Sequence, residues 1–170
     1  MGIQHFGRPL RDRLVGCHDL LLRWGARHST CLAGLFHSIY GTATFPQAAL
    51  NTEARPLVRD RIGEQAERLA FIFCFADRRR LMLENARSPM VWVDHRDGST
   101  HSLSEAELGE LTLIEAANLV EQFPFINHGP ETVIDDMEQR LTAQAHRLSK
   151  ETLSDLHTAL AARRFGTRTL

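Results

Sequence analysis

The sequence has few of the features that mark a membrane, secreted or nucleic-acid-binding protein. No apolar run approaches the length that crosses a bilayer, and residues 1–13 contain no apolar stretch of the signal-peptide type. Lys150 is the only lysine, and 20 basic against 21 acidic residues leave a net charge of -1, without the positive excess of a nucleic-acid binder. We therefore expect a soluble, cytoplasmic protein that binds neither nucleic acid nor membranes.

Cysteine is scarce as well. The three cysteines, Cys17, Cys31 and Cys74, are widely spaced and lie in apolar segments. Cysteines of this kind usually pack as small buried side chains, so they predict neither a disulfide framework nor a zinc site. What the chain does have is enough hydrophobic residues, 43% of 170, for one domain with a sizeable core.

Apolar residues recur at helical spacing along most of the chain. The first such stripe consists of Leu10, Leu14, Cys17, Leu21 and Trp24. The same spacing, together with residues that start or end helices, predicts further helices at residues 31–40, 56–63, from 64 onward and 104–122. Phe71, Phe73 and Phe75 also alternate as in a strand, but the helical flanks and the length of the segment favour a helix.

Residues 90–103 have a different pattern. Val91 and Val93 alternate with Trp92, and Asp97-Gly98 is a typical turn pair before the chain returns. This pattern predicts one small β-hairpin.

The last part of the chain returns to helical spacing after Gly129-Pro130. Two helices that are strongly polar on one face are expected there, as a helical hairpin that covers the core or contacts a second copy of the chain. The sequence therefore predicts a mainly α protein. Its helical core spans residues 1–128, with the β-hairpin at about 90–103, and its C-terminal helical hairpin spans residues 129–170.

His37 is the first candidate for a functional site. It lies beside the apolar stripe of its helix, with Tyr40 three residues later on the same face. A histidine in such a place is most often a hydrogen-bonded core residue; the alternative is a ligand or a proton-transfer group. Arg13, one residue away from the first apolar stripe, can reach out to water or point into a polar pocket and hold an anion.

Asn118 is the second candidate. Glu115 and Gln122 share its helical face, and three polar groups in a stripe that should be buried suggest the wall of a pocket. A polar helix edge that faces solvent explains them equally well. Glu67, with Glu64, could bind a ligand or act as a base, although acidic residues in a first helical turn also complement the helix dipole.

Three segments resemble the helical core of HD-domain proteins and occur in the same order. They are CLAGLFHSIYGT (residues 31–42), RDRIGEQAERLAFIF (59–73) and LIEAANLVEQ (113–122). The first resembles the signature helix that ends in a histidine-aspartate pair, as in ppGpp hydrolases of the RelA/SpoT type. With RLVGC and LLLRWG from the first helix, the set looks still more like an HD-like family without an assigned reaction. The resemblance covers about residues 11–122 and implies an HD-domain-like helical bundle.

The metal ligands of the HD superfamily are largely replaced in this sequence. By the resemblance, His37 is the histidine of the pair, but Ser38 stands in place of the bridging aspartate. Arg13 stands where an upstream histidine ligand is expected, and Asn118 stands where the closing aspartate is expected. Gly41-Thr42 replaces the acidic pair that the RelA/SpoT hydrolases use for acid–base chemistry. The resemblance thus implies a degenerate metal site in which only His37 survives.

These replacements change what the pocket can bind. Divalent metals prefer several carboxylate or imidazole ligands, whereas serine and asparagine are weak neutral ones. A guanidinium adds a fixed positive charge where the metal would lie. We therefore expect a pocket without metal or other cofactor, lined by Arg13, His37, Tyr40 and Asn118, with Glu115, Gln122 and Glu67 as further ligand-binding residues.

Two kinds of function fit this pocket. In the one that we favour, the protein is a metal-independent enzyme of a small metabolite. His37 is then the general acid or base, Tyr40 or Asn118 orients the substrate, and Arg13 stabilises a developing anion. Cyclisation, isomerisation, dehydration or condensation, as in a biosynthetic enzyme, would fit such lyase- or isomerase-type chemistry. In the alternative, the protein is non-catalytic and binds a small ligand, a partner protein or a second copy of itself.

A third alternative keeps the metal. The protein would then be a divalent-metal-dependent hydrolase or oxygenase of the HD type with atypical ligands, such as Glu64, Glu67 or Asp77. If the correspondence at Arg13 is displaced by one helical turn, His18 would join this set.

Overall fold

The computed structural model describes residues 4–5, 8–85, 90–123 and 131–166. The helices in these residues are α1 (Leu10–Arg23), α2 (His28–Leu35), α3 (Arg55–Ile62), α4 (Glu64–Phe75), α5 (Arg78–Glu84), α6 (Glu105–Gln122), α7 (Glu131–Ala143) and α8 (Lys150–Gly166). The strands are β1 (Gln4–His5), β2 (Arg8–Pro9), β3 (Val91–Val93) and β4 (Thr100–Ser102). The predicted mainly α fold with a small β-hairpin is confirmed.

An aromatic side chain of the hairpin packs into the core of the helices. Strand β3 pairs antiparallel with β4, with Trp92 opposite His101, inside the segment predicted for the hairpin. Trp92 is buried in the main apolar core, so the hairpin is attached to the helices rather than projecting from them. A second two-residue ladder pairs β1 with β2, which no sequence pattern predicted.

The main core is formed by the inner faces of α1, α2, α4 and α6. Helix α1 contributes Cys17 and Leu21, and α4 contributes Leu69, Ile72 and Phe73, all of them almost fully buried. Burial of a leucine, isoleucine or phenylalanine side chain contributes about 1.5–3 kcal/mol each. The prediction that all three cysteines are buried thiols is confirmed.

Helix α6 begins at the predicted capping box. The amide of Glu107 donates to the Ser104 hydroxyl (3.2 Å), and the amide of Ser104 donates to the Glu107 carboxylate (2.8 Å). Arg68 of α4 also binds Glu107, which ties the two helices together. With this start, Glu115 and Asn118 are buried inside the protein.

Helix α2 is shorter than predicted. The prediction of a helix over residues 31–40 is wrong at both ends, because α2 begins at His28 and ends at Leu35, and turns follow to Tyr40. The physical reason at the second end is the imidazole of His37, whose Nδ1 lies 2.6 Å from the carbonyl oxygen of Gly34. A continuing helix would offer that oxygen to the amide of Ser38.

The helices α7 and α8 pack over a second apolar cluster. Its buried residues are Ala116, Leu119, Phe123, Leu141, Leu148, Leu156 and Leu160. Helix α6 therefore contributes to both clusters. The predicted boundary at residues 128/129 lies outside the described residues, and both the two-part division and the contact with a second copy stay predictions.

No helix within the described ranges combines the length and the apolar character needed to cross a bilayer. The HD-like arrangement implied by the resemblance stays a prediction.

Candidate functional site

Arg13 points into the protein from the first half of α1. Its side chain is buried, and Nη2 donates to the hydroxyl of Ser38 (3.1 Å) and lies 2.9 Å from Nε2 of His37. Burial lowers the pKa of Arg13, and the nearby carboxylate of Glu121 opposes that shift. The guanidinium thus occupies the space between α1 and the turn that follows α2.

The two ring nitrogens of His37 both face protein groups. Nδ1 lies 2.6 Å from the carbonyl oxygen of Gly34, which can only accept, so Nδ1 carries the proton. Nε2 faces a guanidinium, which can only donate, so Nε2 is the acceptor. Burial, together with the positive charges of Arg13 and Arg78, lowers the pKa of His37 to about 3, although hydrogen bonding by Gly34 and Asn118 opposes this shift. His37 is therefore a neutral imidazole of fixed tautomer.

Asn118 approaches this group from α6. Its side chain lies close enough to His37 to oppose the lowering of the imidazole pKa, and its Oδ1 accepts from Nε2 of Gln122, one turn later. The next residue of this helix to approach α1 is Glu121. A β-carbon on Gly16 would lie 2.8 Å from Cγ of Glu121, so the glycine in α1 is what admits that side chain.

Glu115 lies on the same helix but has a different role. Its carboxylate accepts from Nη1 of Arg140 in α7 (2.8 Å) and from Nη1 of Arg78 at the start of α5 (3.4 Å). Arg140 also pairs with Asp136 of its own helix (3.0 Å). Glu115 therefore joins three helices through a buried ion-pair network rather than lining an open pocket.

Tyr40 and Glu67 form a second polar cluster. The Tyr40 hydroxyl donates to Glu67 (3.0 Å), and the same carboxylate receives Nε and Nη2 of Arg55 (2.6 and 3.0 Å) and Nε of Arg59 (3.0 Å). Burial alone raises the pKa of Glu67, but the bonds from the two arginines outweigh it and the pKa lies below its usual range. Burial and the Glu67 charge raise the pKa of Tyr40.

The structure thus divides the predicted site residues among three groups, one of which is the ion-pair network of Glu115. Arg13, His37, Asn118 and Gln122 come together, whereas the Tyr40 hydroxyl binds Glu67 instead of pointing to His37. The expected grouping of Tyr40 with His37 fails because the turns after α2 rotate residue 40 away from the helical position assumed for it. Four arginines of these clusters were not predicted, because in the sequence they look like ordinary surface arginines. They are Arg55, Arg59, Arg78 and Arg140.

The donor set around His37 is a poor one for a metal ion. Its members are one imidazole with an occupied Nε2, a serine hydroxyl, an amide and a guanidinium. Over the ranges that the structure describes, no three histidine, cysteine, aspartate or glutamate side chains are arranged to hold an ion. Glu67, named above as an alternative ligand, already accepts from two arginines.

One comparison with known proteins gives a match. A family model described as a domain of unknown function, DUF6817, matches residues 1–78, which include Arg13, His37, Tyr40 and Glu67 but not the α6 residues of the site. Neither a curated protein nor a solved structure matches the chain significantly.

Proposed function

We propose that this chain is a non-catalytic, metal-independent protein that binds a small anionic ligand, on a degenerate HD-like fold. The proposal is supported above all by the 2.9 Å contact between Nη2 of Arg13 and Nε2 of His37. A general acid or base needs a nitrogen that can reach the substrate and a pKa near the working pH. His37 has a pKa of about 3, and the protein itself occupies both ring nitrogens.

The guanidinium has a structural role in this proposal. A buried positive charge between α1 and the turn after α2 stands where the HD resemblance implies a metal ion. It organises the imidazole and the Ser38 hydroxyl with hydrogen bonds, as a metal would with coordination bonds. Since Arg13 is engaged in this way, the ligand would be held by arginines whose edges reach the solvent, such as Arg59 and Arg96.

The competing proposal is the metal-independent enzyme with His37 as acid or base. It requires a state in which Arg13 moves away from Nε2, so that a substrate can take its place. Such a state would make turnover depend on His37, and this dependence separates the two proposals.

Ligand screening with wild type and His37→Gln tests the proposal. A glutamine carbonyl can accept from Arg13 as Nε2 does, but it cannot shuttle a proton at neutral pH. We expect an anionic metabolite to stabilise both proteins against heat, by about 2.7 kcal/mol at a concentration of 100 times Kd. Nuclear magnetic resonance of the incubated ligand is expected to show no product from either protein.

His37→Asn serves as the matched variant. Its side-chain amide can keep the bond to Gly34, but it is too short to replace Nε2 as the acceptor for Arg13. Comparison with His37→Gln therefore separates a loss of folding from a loss of activity. Conversion of the ligand by wild type, together with its loss in a folded His37→Gln protein, would establish the enzyme instead.

Introducing the ligands that the HD resemblance implies should create a metal site. Because the side chains of Arg13, Ser38 and Asn118 all contact His37 or each other, the variant Arg13→His/Ser38→Asp/Asn118→Asp places two imidazoles and two carboxylates together. We expect it to retain about one equivalent of Mn²⁺ or Zn²⁺ after dialysis, and to be stabilised by that metal. Elemental analysis and thermal denaturation measure the two effects.

Arg13→His alone is the control, because it adds an imidazole without carboxylates, and it should retain much less metal. A folded triple variant that holds no more metal than wild type would remove the HD-like interpretation of this site. Tightly held metal in the wild-type protein would contradict the proposed metal independence.

A further inference from the structure

Two guanidinium groups cover a pair of phenylalanines that contact each other edge to face at the edge of the core. Phe71 and Phe75 are one turn apart on α4, with ring centroids 4.9 Å apart. Cζ of Arg55 lies 3.6 Å from the Phe71 centroid, and Cζ of Arg96 lies 3.6 Å from the Phe75 centroid and 5.8 Å from that of Phe71. Both Cζ atoms thus lie within 5.8 Å of the same point, the Phe71 centroid, which makes the two guanidinium groups neighbours.

A buried carboxylate holds each of these two guanidinium groups in place. Glu67 takes Nε and Nη2 of Arg55, and Asp94 takes Nε and Nη2 of Arg96 (2.6–3.2 Å). Both carboxylates are buried. Since the carboxylates use the Nε sides, the Nη1 group of each arginine lies outside these bonds. The planar groups are thus pre-oriented by a ring on one side and a carboxylate at the edge, which reduces the entropy lost when a ligand binds.

The solvent can reach this surface. The side chain of Arg96 is 43% exposed, that of Arg55 is 24% exposed, and Arg59, which shares Glu67, is 42% exposed. The exposed carboxylates of Glu64 and Asp97 also act on Arg59 and Arg96, so four carboxylates face the three arginines and the local charge is slightly negative. Affinity must therefore come from directed hydrogen bonds at short range rather than from a strong positive field.

We infer that Arg55 and Arg96, carried on Phe71 and Phe75, form a binding site for a phosphate group, either free or as a phosphate monoester. The inference rests on the proposed function, of which it names the site and the ligand class. Donors from two neighbouring arginines suit a tetrahedral dianion with three acceptor oxygens, whereas one arginine fork already satisfies a carboxylate. Arg59 lies next to Arg55 on the shared Glu67 carboxylate and can supply a further donor.

Titration with inorganic phosphate tests the site, with acetate as the comparison anion. In isothermal titration of the full chain, we expect saturable binding of phosphate that is tighter than that of acetate. Arg96→Gln should raise the phosphate Kd about tenfold or more, because one charge-assisted hydrogen bond is lost. Arg96→Lys keeps the pair with Asp94 and hence the local fold, and it should also weaken binding because it lacks the planar fork.

Arg80→Gln is the matched control. Arg80 is an exposed arginine paired with Glu84 on its own helix, so its loss removes the same charge from the surface without touching the aromatic pair. Its phosphate Kd should equal that of wild type. The site is overturned if phosphate does not saturate, if Arg96→Gln and Arg96→Lys both bind as wild type does, or if Arg80→Gln weakens binding as much as they do. If phosphate does not bind but a different anion binds without turnover, the proposed function is retained and only this site is rejected.

Discussion

Replacing Glu115 with alanine is expected to lower the free energy of unfolding by about 3–5 kcal/mol, the cost of removing one partner from a buried ion pair. The carboxylate is only 2% exposed, and it faces Arg140, whose side chain is 9% exposed, and Arg78, whose side chain is 17% exposed. The alanine variant leaves the buried guanidinium of Arg140 with Asp136 alone to compensate it, and the partly buried one of Arg78 without its carboxylate. Urea denaturation followed by circular dichroism measures the difference.

Glu84→Ala is the matched control, because it removes a carboxylate from an exposed pair with Arg80. Surface pairs of this kind contribute about 0–1 kcal/mol. Similar effects of the two substitutions would mean that Glu115 is not an anchor of α7. Hydrogen exchange adds a local measurement, since loss of the anchor should reduce amide protection in α7 before it affects α4.

The parts of the fold that follow local rules were predictable from the sequence. The capping box at Ser104 and Glu107 marked the start of α6, and Gly63 separated α3 from α4 where the structure has a positive φ of 86°. Such signals lie within one or two helical turns of the feature that they determine. The β-hairpin was predictable for the same reason, from alternation and a turn pair close in sequence.

The end of α2 was not predictable, because a side chain determines it. The apolar pattern continues to Tyr40, yet the imidazole of His37 takes the Gly34 carbonyl and the helix stops at Leu35. Whether a histidine uses its ring in this way depends on what holds the other nitrogen. That partner, Arg13, is 24 residues away in sequence.

The candidate site was predictable only in part, for a related reason. Periodicity placed Arg13 and Asn118 near buried faces, and the HD resemblance placed them near His37. The arginines that neutralise Glu67 and Glu115 could not be predicted in this way, since they come from other helices, α3, α5 and α7. Ion pairs between distant helices depend on how the helices pack, and one sequence carries little information about that.

The stability of the protein is expected to fall below pH 6.5 because of His37. In the unfolded chain an ordinary histidine gains a proton near pH 6.5, whereas His37 in the folded protein has a pKa of about 3. Between these values the unfolded state binds more protons, so stability rises with pH and is fully present above the unfolded pKa. One such histidine should reduce the free energy of unfolding by about 2 kcal/mol from pH 7 to pH 5.

Comparison with His37→Gln isolates this contribution. The variant is expected to be less stable at every pH, since it loses the bond to Gly34. Between pH 6.5 and 5, however, its free energy of unfolding should fall less steeply, because its unfolding takes up about one proton fewer. The carboxylates whose pKa values are lowered by their partners, such as Glu67 and Glu107, lose their contribution at more acidic pH and do not overlap this window. Urea denaturation at each pH measures both curves. Parallel curves would show that His37 takes up a proton in the folded state, which requires Arg13 to leave Nε2 and would return His37 to the role of an acid or base.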